Sequence, residues 1–177
     1  MALNRRKIAE QNNALLRRQQ EFRLAADYVA RALGELPSVQ RVVLFGSVAM
    51  PLDADVPRRG GMAVWHECKD VDLAIWAIGL DDLKVLNETC HQALGAFQEE
   101  HAPGIGRQHV DMVLLEPESD RYLGHVCPLD QCPKGGPLCD APGCGKLPYL
   151  QRRKGFELTP KALASGRSVL LFQRRTK

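Results

Sequence analysis

The sequence predicts an α+β fold: a mixed β-sheet packed by helices, with a small zinc-stapled segment toward the C-terminus. Three observations predict it. Short apolar runs at Val39 to Phe45, Val71 to Ala77 and His109 to Leu115 have strand length and end in turn residues. Two other stretches repeat apolar residues at helical spacing, one before the first run and one between the second and third. Residues 125 to 148 crowd cysteine, proline and glycine with almost no apolar period, so something other than a core must order them. The chain divides accordingly into an N-terminal helix packed on the core (1–38), the core (39–118) and a C-terminal segment with a four-cysteine site and a last strand (119–177). There is no internal repeat.

Residues 3 to 33 read as one long helix. Ile8, Leu15, Phe22 and Val29 recur every seven residues, with Ala26 and Leu33 in the same stripe, and Gly34 and Pro37 supply the stop. The stripe is short and thinly apolar at its start, which favours packing on the chain's own sheet over a dimeric coiled coil. Val39 to Phe45 is apolar on both faces and therefore expected in the sheet interior. Gly46 breaks it. Pro51 and the run Pro57-Arg58-Arg59-Gly60-Gly61 read as loop, and Met62 to Trp65 as a short strand or hairpin arm. Val71 to Ala77 is the second strand. Gly79 ends it, and Asp81 or Asp82 is placed to cap a helix carrying Leu83, Leu86, Cys90, Leu94 and Phe97 at spacings of three and four. Pro103 to Gly106 ends that helix. His109 to Leu115 is the third strand, closed by Glu116-Pro117. Further on, Phe156 to Leu158 reads as a short strand, Thr159-Pro160 as the opening of a short helix, and Ser168 to Gln173 as the last strand.

Composition removes several classes of function. With 24 basic and 21 acidic side chains the net charge is +3, too mild to mark a nucleic-acid binder, although both ends of the chain are basic. No run approaches the roughly 20 apolar residues of a membrane span. The basic N-terminus has no apolar stretch after it, so no secretory signal is read and the cytoplasm is the expected compartment. In that compartment a cysteine cluster points to metal before disulfides.

The chemistry centres on residues 41 to 75. The first strand ends in Gly46-Ser47, where glycine lets backbone approach a phosphate and the serine hydroxyl with freed N–H groups can donate to it. The second strand opens on Asp70-x-Asp72. Residues two apart on a strand share a face, so these carboxylates project together, and Asp111 repeats the oddity inside the third apolar run. Three carboxylates on adjacent strands repel unless cations lie between them, and hard oxygen ligands favour Mg²⁺. Taken singly, each feature reads as an ordinary turn or a solvated strand end. Their order, with the helix between the two acidic strands, is much harder to explain as structure alone.

That order resembles the polymerase-β-type nucleotidyltransferase superfamily, and the short chain is similar to its minimal members. The segments Leu44-Phe45-Gly46-Ser47 and Asp70-Val71-Asp72-Leu73-Ala74-Ile75 are close to the family's wording. The resemblance covers about residues 25 to 116. It implies a nucleotidyltransferase-like sheet, with Gly46 and Ser47 on the triphosphate. Asp70, Asp72 and Asp111 would be catalytic ligands of two Mg²⁺ ions, with Mn²⁺ as a substitute. The activity implied is transfer of a nucleoside monophosphate from ATP or another NTP to a hydroxyl of a protein, a nucleic acid or a small molecule such as an aminoglycoside. Minimal members often act as antitoxins on a partner toxin, so a toxin-like protein is one expected partner; no membrane is. One departure stands out: 22 residues separate Ser47 from Asp70, a longer gap than the minimal members have. The extra length either shapes a substrate pocket or disturbs the cradle and leaves a non-catalytic relative.

Cys127-x4-Cys132 and Cys139-x4-Cys144 form two similar pairs around a Pro/Gly linker, the pattern of a closed structural Zn²⁺ site, with His125 as a substitute ligand. The competing reading is four thiols or disulfides in a loop. For the whole chain, the reading that competes with an enzyme is an inactive binding module that uses its zinc segment and basic ends on a protein or nucleic acid. A hydrolase with the same metals fits the same residue types.

Overall fold

A computed structural model describes residues 5–52, 58–59, 62–63, 67–101, 104–128, 149–153 and 155–175. Its architecture is mixed α+β. Helix α1 (Arg5–Gly34) leads into strand β1 (Val39–Phe45). A two-residue hairpin, β2 (Arg58–Arg59) and β3 (Met62–Ala63), precedes β4 (Val71–Ala77), and helix α2 (Leu83–Glu100) follows. Then come β5 (Val110–Leu115), β6 (Tyr122–Val126), β7 (Leu150–Gln151) and β8 (Val169–Gln173). Six strands form one sheet in the order β7-β6-β5-β4-β1-β8, while β2 and β3 pair only with each other. Only β4 and β5 run parallel, as a connection through a helix allows; the other sheet pairs are antiparallel.

Both faces of the sheet are covered, which is why the central strands are continuously apolar. On one face Val42 and Leu44 of β1, Leu73 and Ile75 of β4, and Met112 and Leu114 of β5 pack with Phe22, Val29 and Leu33 of α1 and with Leu86, Leu94 and Phe97 of α2. The expected stripe of α1 is thus spent on the chain's own sheet. On the other face Val43, Phe45, Ala74, Trp76, Val113 and Leu115 are covered by Tyr122, Phe156, Leu158, Ala162 and Leu163. Side-chain alternation puts Asp72 and Asp111 on this second face, in line with Ala74 and Val113.

Several expectations need correction. The third strand begins at Val110, because Arg107–His109 form a 3-10 turn. Phe156 to Leu158 is not a strand; its side chains lie over the second face as a lid of irregular backbone. The short helix after Thr159 is a single 3-10 turn, Pro160–Leu163, with Pro at its start. Asp82 is the N-cap residue of α2, yet its side chain makes no capping hydrogen bond. Strand β6 was not expected at all. Its Gly124, at φ +153°, sits where a Cβ would meet Leu150 Cδ1 at 2.5 Å and the Gln151 carbonyl oxygen at 2.9 Å, so glycine admits β7 to the sheet. No described helix is long and apolar enough to cross a membrane.

Candidate active site

Asp72 and Asp111 are direct neighbours. They are register partners on the parallel strands β4 and β5, and Phe45, the last residue of β1, pairs with Asp72 from the other side. Neighbouring strands are about 4.8 Å apart, so two carboxylates project from adjacent positions on one face. Asp70 lies just before β4 and is exposed. Asp72 feels this crowding: burial, then the charges of Asp111 and Asp70, push its carboxyl from 3.8 up to about 7, against the opposing pull of Arg153.

Gly46 completes the arrangement. It takes φ +74°, a conformation that favours glycine, and a Cβ built on it would fall on the Asp72 carboxylate oxygen Oδ2, well inside contact distance. The Gly-Ser turn therefore rests against the half-buried acid, and only a residue without a side chain permits that.

Two residues of α1 that were not singled out in the sequence hold this turn. Gln19 is 2% exposed, and its side-chain amide lies 3.2, 3.2 and 2.6 Å from the carbonyl oxygens of Ser47, Val48 and Met50. Arg23, one helical turn later, donates from Nε to the Val48 carbonyl at 2.8 Å and from its guanidinium to that of Ala49 at 3.1 Å. Since a peptide's C=O and N–H point in opposite directions, turning these carbonyls toward α1 turns the N–H groups of Val48 and Met50 away from it. A signal for Gln19 was present: it stands seven residues before Ala26 and fourteen before Leu33, a polar residue in the core stripe. Cys68 is buried too, and its thiol donates to the Ser47 carbonyl at 3.5 Å, so the two ends of the long 48–69 connection meet at the turn.

Arg153 is the other unanticipated member. Its guanidinium makes a two-pronged ion pair with Asp111, each N–H···O contact 3.0 Å long. His125, a register partner of Val113, is 2% exposed and accepts or donates at Nδ1 to the Tyr122 hydroxyl 2.6 Å away. Burial, reinforced by Arg153, lowers it from 6.5 to about 4, so it is neutral at pH 7. Its ring packs on Phe156 with centroids 4.6 Å apart.

Among the described residues, no three His, Cys, Asp or Glu side chains form a cluster that could hold a metal ion. Arg153 already neutralises Asp111, and Asp70 is exposed just before β4. The donor chemistry still fits a hard divalent ion: Mg²⁺ commonly takes one or two protein carboxylates and completes its shell with water and phosphate oxygens. Of the proposed zinc ligands, Cys127 is buried just beyond the end of β6, while Cys132, Cys139 and Cys144 lie outside the described residues. A surface cleft of about 590 Å³ lies past the other ends of β4 and β5, lined by residues such as Ala77, Ile78, Glu116 and Arg121, and contains none of the residues above. Comparison of the chain with protein-family models, curated proteins and solved structures finds no match.

Proposed function

We propose that the chain is a divalent-metal-dependent nucleotidyltransferase that moves a nucleoside monophosphate from ATP or another NTP to a hydroxyl. The observation that carries this reading is the in-register pair Asp72 and Asp111 with Gly46 seated against Asp72. Asp70, Asp72 and Asp111 would hold the ions. Bound Mg²⁺ would supply neutralisation of the triphosphate and of the charge that develops during in-line displacement. The Ser47 hydroxyl and the outward N–H groups of the turn would donate to phosphate oxygens. The acceptor oxygen bonds to the α-phosphorus, the bond to the β-phosphate's bridging oxygen breaks, and pyrophosphate leaves. Asp111 would take the acceptor's proton. The acceptor belongs to a protein, a nucleic acid or a small molecule, and a toxin-like protein remains one such partner.

The test is incubation with α-labelled ATP and Mg²⁺, comparing wild type with the double variant Asp70→Ala/Asp72→Ala. Metal-dependent nucleotide binding or label transfer that the double variant loses supports the reading; identical behaviour of the two proteins sinks it. A second reading, an inactive binding module, is favoured by Arg153, because its guanidinium already occupies Asp111, where a metal ion would bind. It predicts no metal-dependent nucleotide binding at all. Separately, Cys127, Cys132, Cys139 and Cys144 would bind one structural Zn²⁺. Near-stoichiometric zinc in protein purified without added metal is expected, and reduced protein with far less than one equivalent would reject it.

A further inference from the structure

The pairing of Arg153 with Asp111 has features of an exchangeable contact. Both side chains are over a third exposed, at 39% and 38%, so water can replace either partner at small cost. The guanidinium is planar and forked, which suits a carboxylate and a phosphate equally. Its charge also reaches Asp72, whose carboxyl it pulls down against the push of Asp111 and Asp70. Arg153 therefore pairs with one of the two neighbouring strand carboxylates and acts by its charge on the other.

We propose that Arg153 is a positioning residue that exchanges partners: it occupies Asp111 in the metal-free protein, is displaced from it by the incoming divalent ion, and then binds an oxygen of the nucleotide's phosphates. This rests on the nucleotidyltransferase reading. The physical basis is charge balance. Two ionised carboxylates side by side repel unless a proton or a cation lies between them, and a divalent ion satisfies both where a guanidinium satisfies one. Once the ion arrives, Arg153 faces two positive charges and loses its reason to remain. A polyphosphate brings the anionic oxygens that would recapture it within the same small volume.

The exchange predicts opposite signs for one substitution. Free Mn²⁺, followed by its electron paramagnetic resonance signal, should bind Arg153→Ala about fivefold tighter than wild type, because its competitor is gone. The complex of Mn²⁺ with α,β-methylene-ATP should bind the same variant roughly tenfold more weakly, because a phosphate ligand is gone. Arg153→Lys keeps the charge without the fork and should fall between wild type and alanine in both titrations. A merely structural role would weaken both affinities together. If Arg153→Ala binds Mn²⁺ no tighter than wild type, or the analogue as tightly, the exchange is overturned, while Mn²⁺ binding that Asp72→Asn abolishes would leave the metal site standing. If wild type and Asp72→Asn bind Mn²⁺ alike, the metal reading falls and the exchange with it.

Discussion

Replacing Asp72 by asparagine should stabilise the metal-free protein, and the size of the effect can be worked from its surroundings. The folded state raises this carboxyl from 3.8 to about 7 through burial and the neighbouring Asp111 and Asp70. Between those pH values the folded chain holds a proton that the unfolded chain has released. Wild-type stability from this group is therefore fully present below pH 3.8 and is lost as pH rises toward 7. At about 1.36 kcal/mol per pH unit the loss reaches roughly 4 kcal/mol at pH 8. Asparagine carries no charge and escapes it, and because the raised value already includes the opposing pull of Arg153, a gain of up to about 4 kcal/mol is expected.

The assay is urea denaturation of both proteins in chelator at pH 5, 6, 7 and 8. The stability difference should widen steadily up to pH 7 and then level. His125 contributes with the opposite sign, because its depressed titration adds stability as pH rises from about 4 to 6.5. That contribution is common to both proteins and cancels in the difference, which is why the difference is the quantity to read. Added Mn²⁺ should reverse the order at pH 8, stabilising wild type alone. A variant less stable than wild type in chelator at pH 8, or a difference that does not change with pH, would refute the account of Asp72.

Two further substitutions test the cradle. Gly46→Ala combines a strained φ of +74° with a side chain driven onto Asp72. It should cost about 2 kcal/mol or more in thermal unfolding and weaken Mn²⁺ binding as well. Gln19→Leu keeps the helix and its apolar stripe but leaves three carbonyls of the 47–50 turn without their shared donor, so a cost of about 1 to 3 kcal/mol is expected. Hydrogen exchange should quicken at Ala49, whose N–H bonds to the Gly46 carbonyl, and unchanged exchange there would show that the turn does not depend on Gln19.

Much of the frame was legible because it depends on short-range periodicity. The strands at Val39 and Val71 have the bounds that their apolar runs suggest, and the seven-residue repeat of α1 is the face that reaches the sheet. The placement of Asp72 beside Asp111 was also legible, since an aspartate near the start of each of two apolar runs leaves few alternatives. What the sequence hid is long-range. Strand β6 has no clear alternation because Gly124 and the buried His125 serve tertiary contacts rather than a pattern. Arg107 looks like a surface residue, yet it is buried and donates to the Asn87 side chain and to the carbonyls of Val110 and Val126. Arg153 is 42 residues from Asp111 and stands in an unremarkable basic run, so only the folded chain brings it to the acid.

The long 48–69 connection is where the same reasoning can be pressed furthest. A disturbed cradle would require its length to strain the Gly-Ser turn. Instead the turn is held from three sides: by Gln19 and Arg23, by the Ala49 N–H bonded to the Gly46 carbonyl, and by Cys68 returning to the Ser47 carbonyl. The described hairpin within the connection, β2 with β3, pairs with itself and adds no strand to the main sheet. Replacing residues 53–66 by a short Gly/Ser bridge should therefore spare the site. Closing a loop of 22 residues rather than one of about ten differs by only about 0.7 kcal/mol in chain entropy, and in favour of the shorter loop. The shortened protein should melt within a few degrees of wild type and keep its Mn²⁺ affinity, while transfer to the natural acceptor falls if the connection shapes that pocket. Loss of Mn²⁺ binding in a protein that remains folded would mean that the connection builds the metal site itself, and that the closed base at Ser47 and Cys68 is not sufficient to hold the cradle.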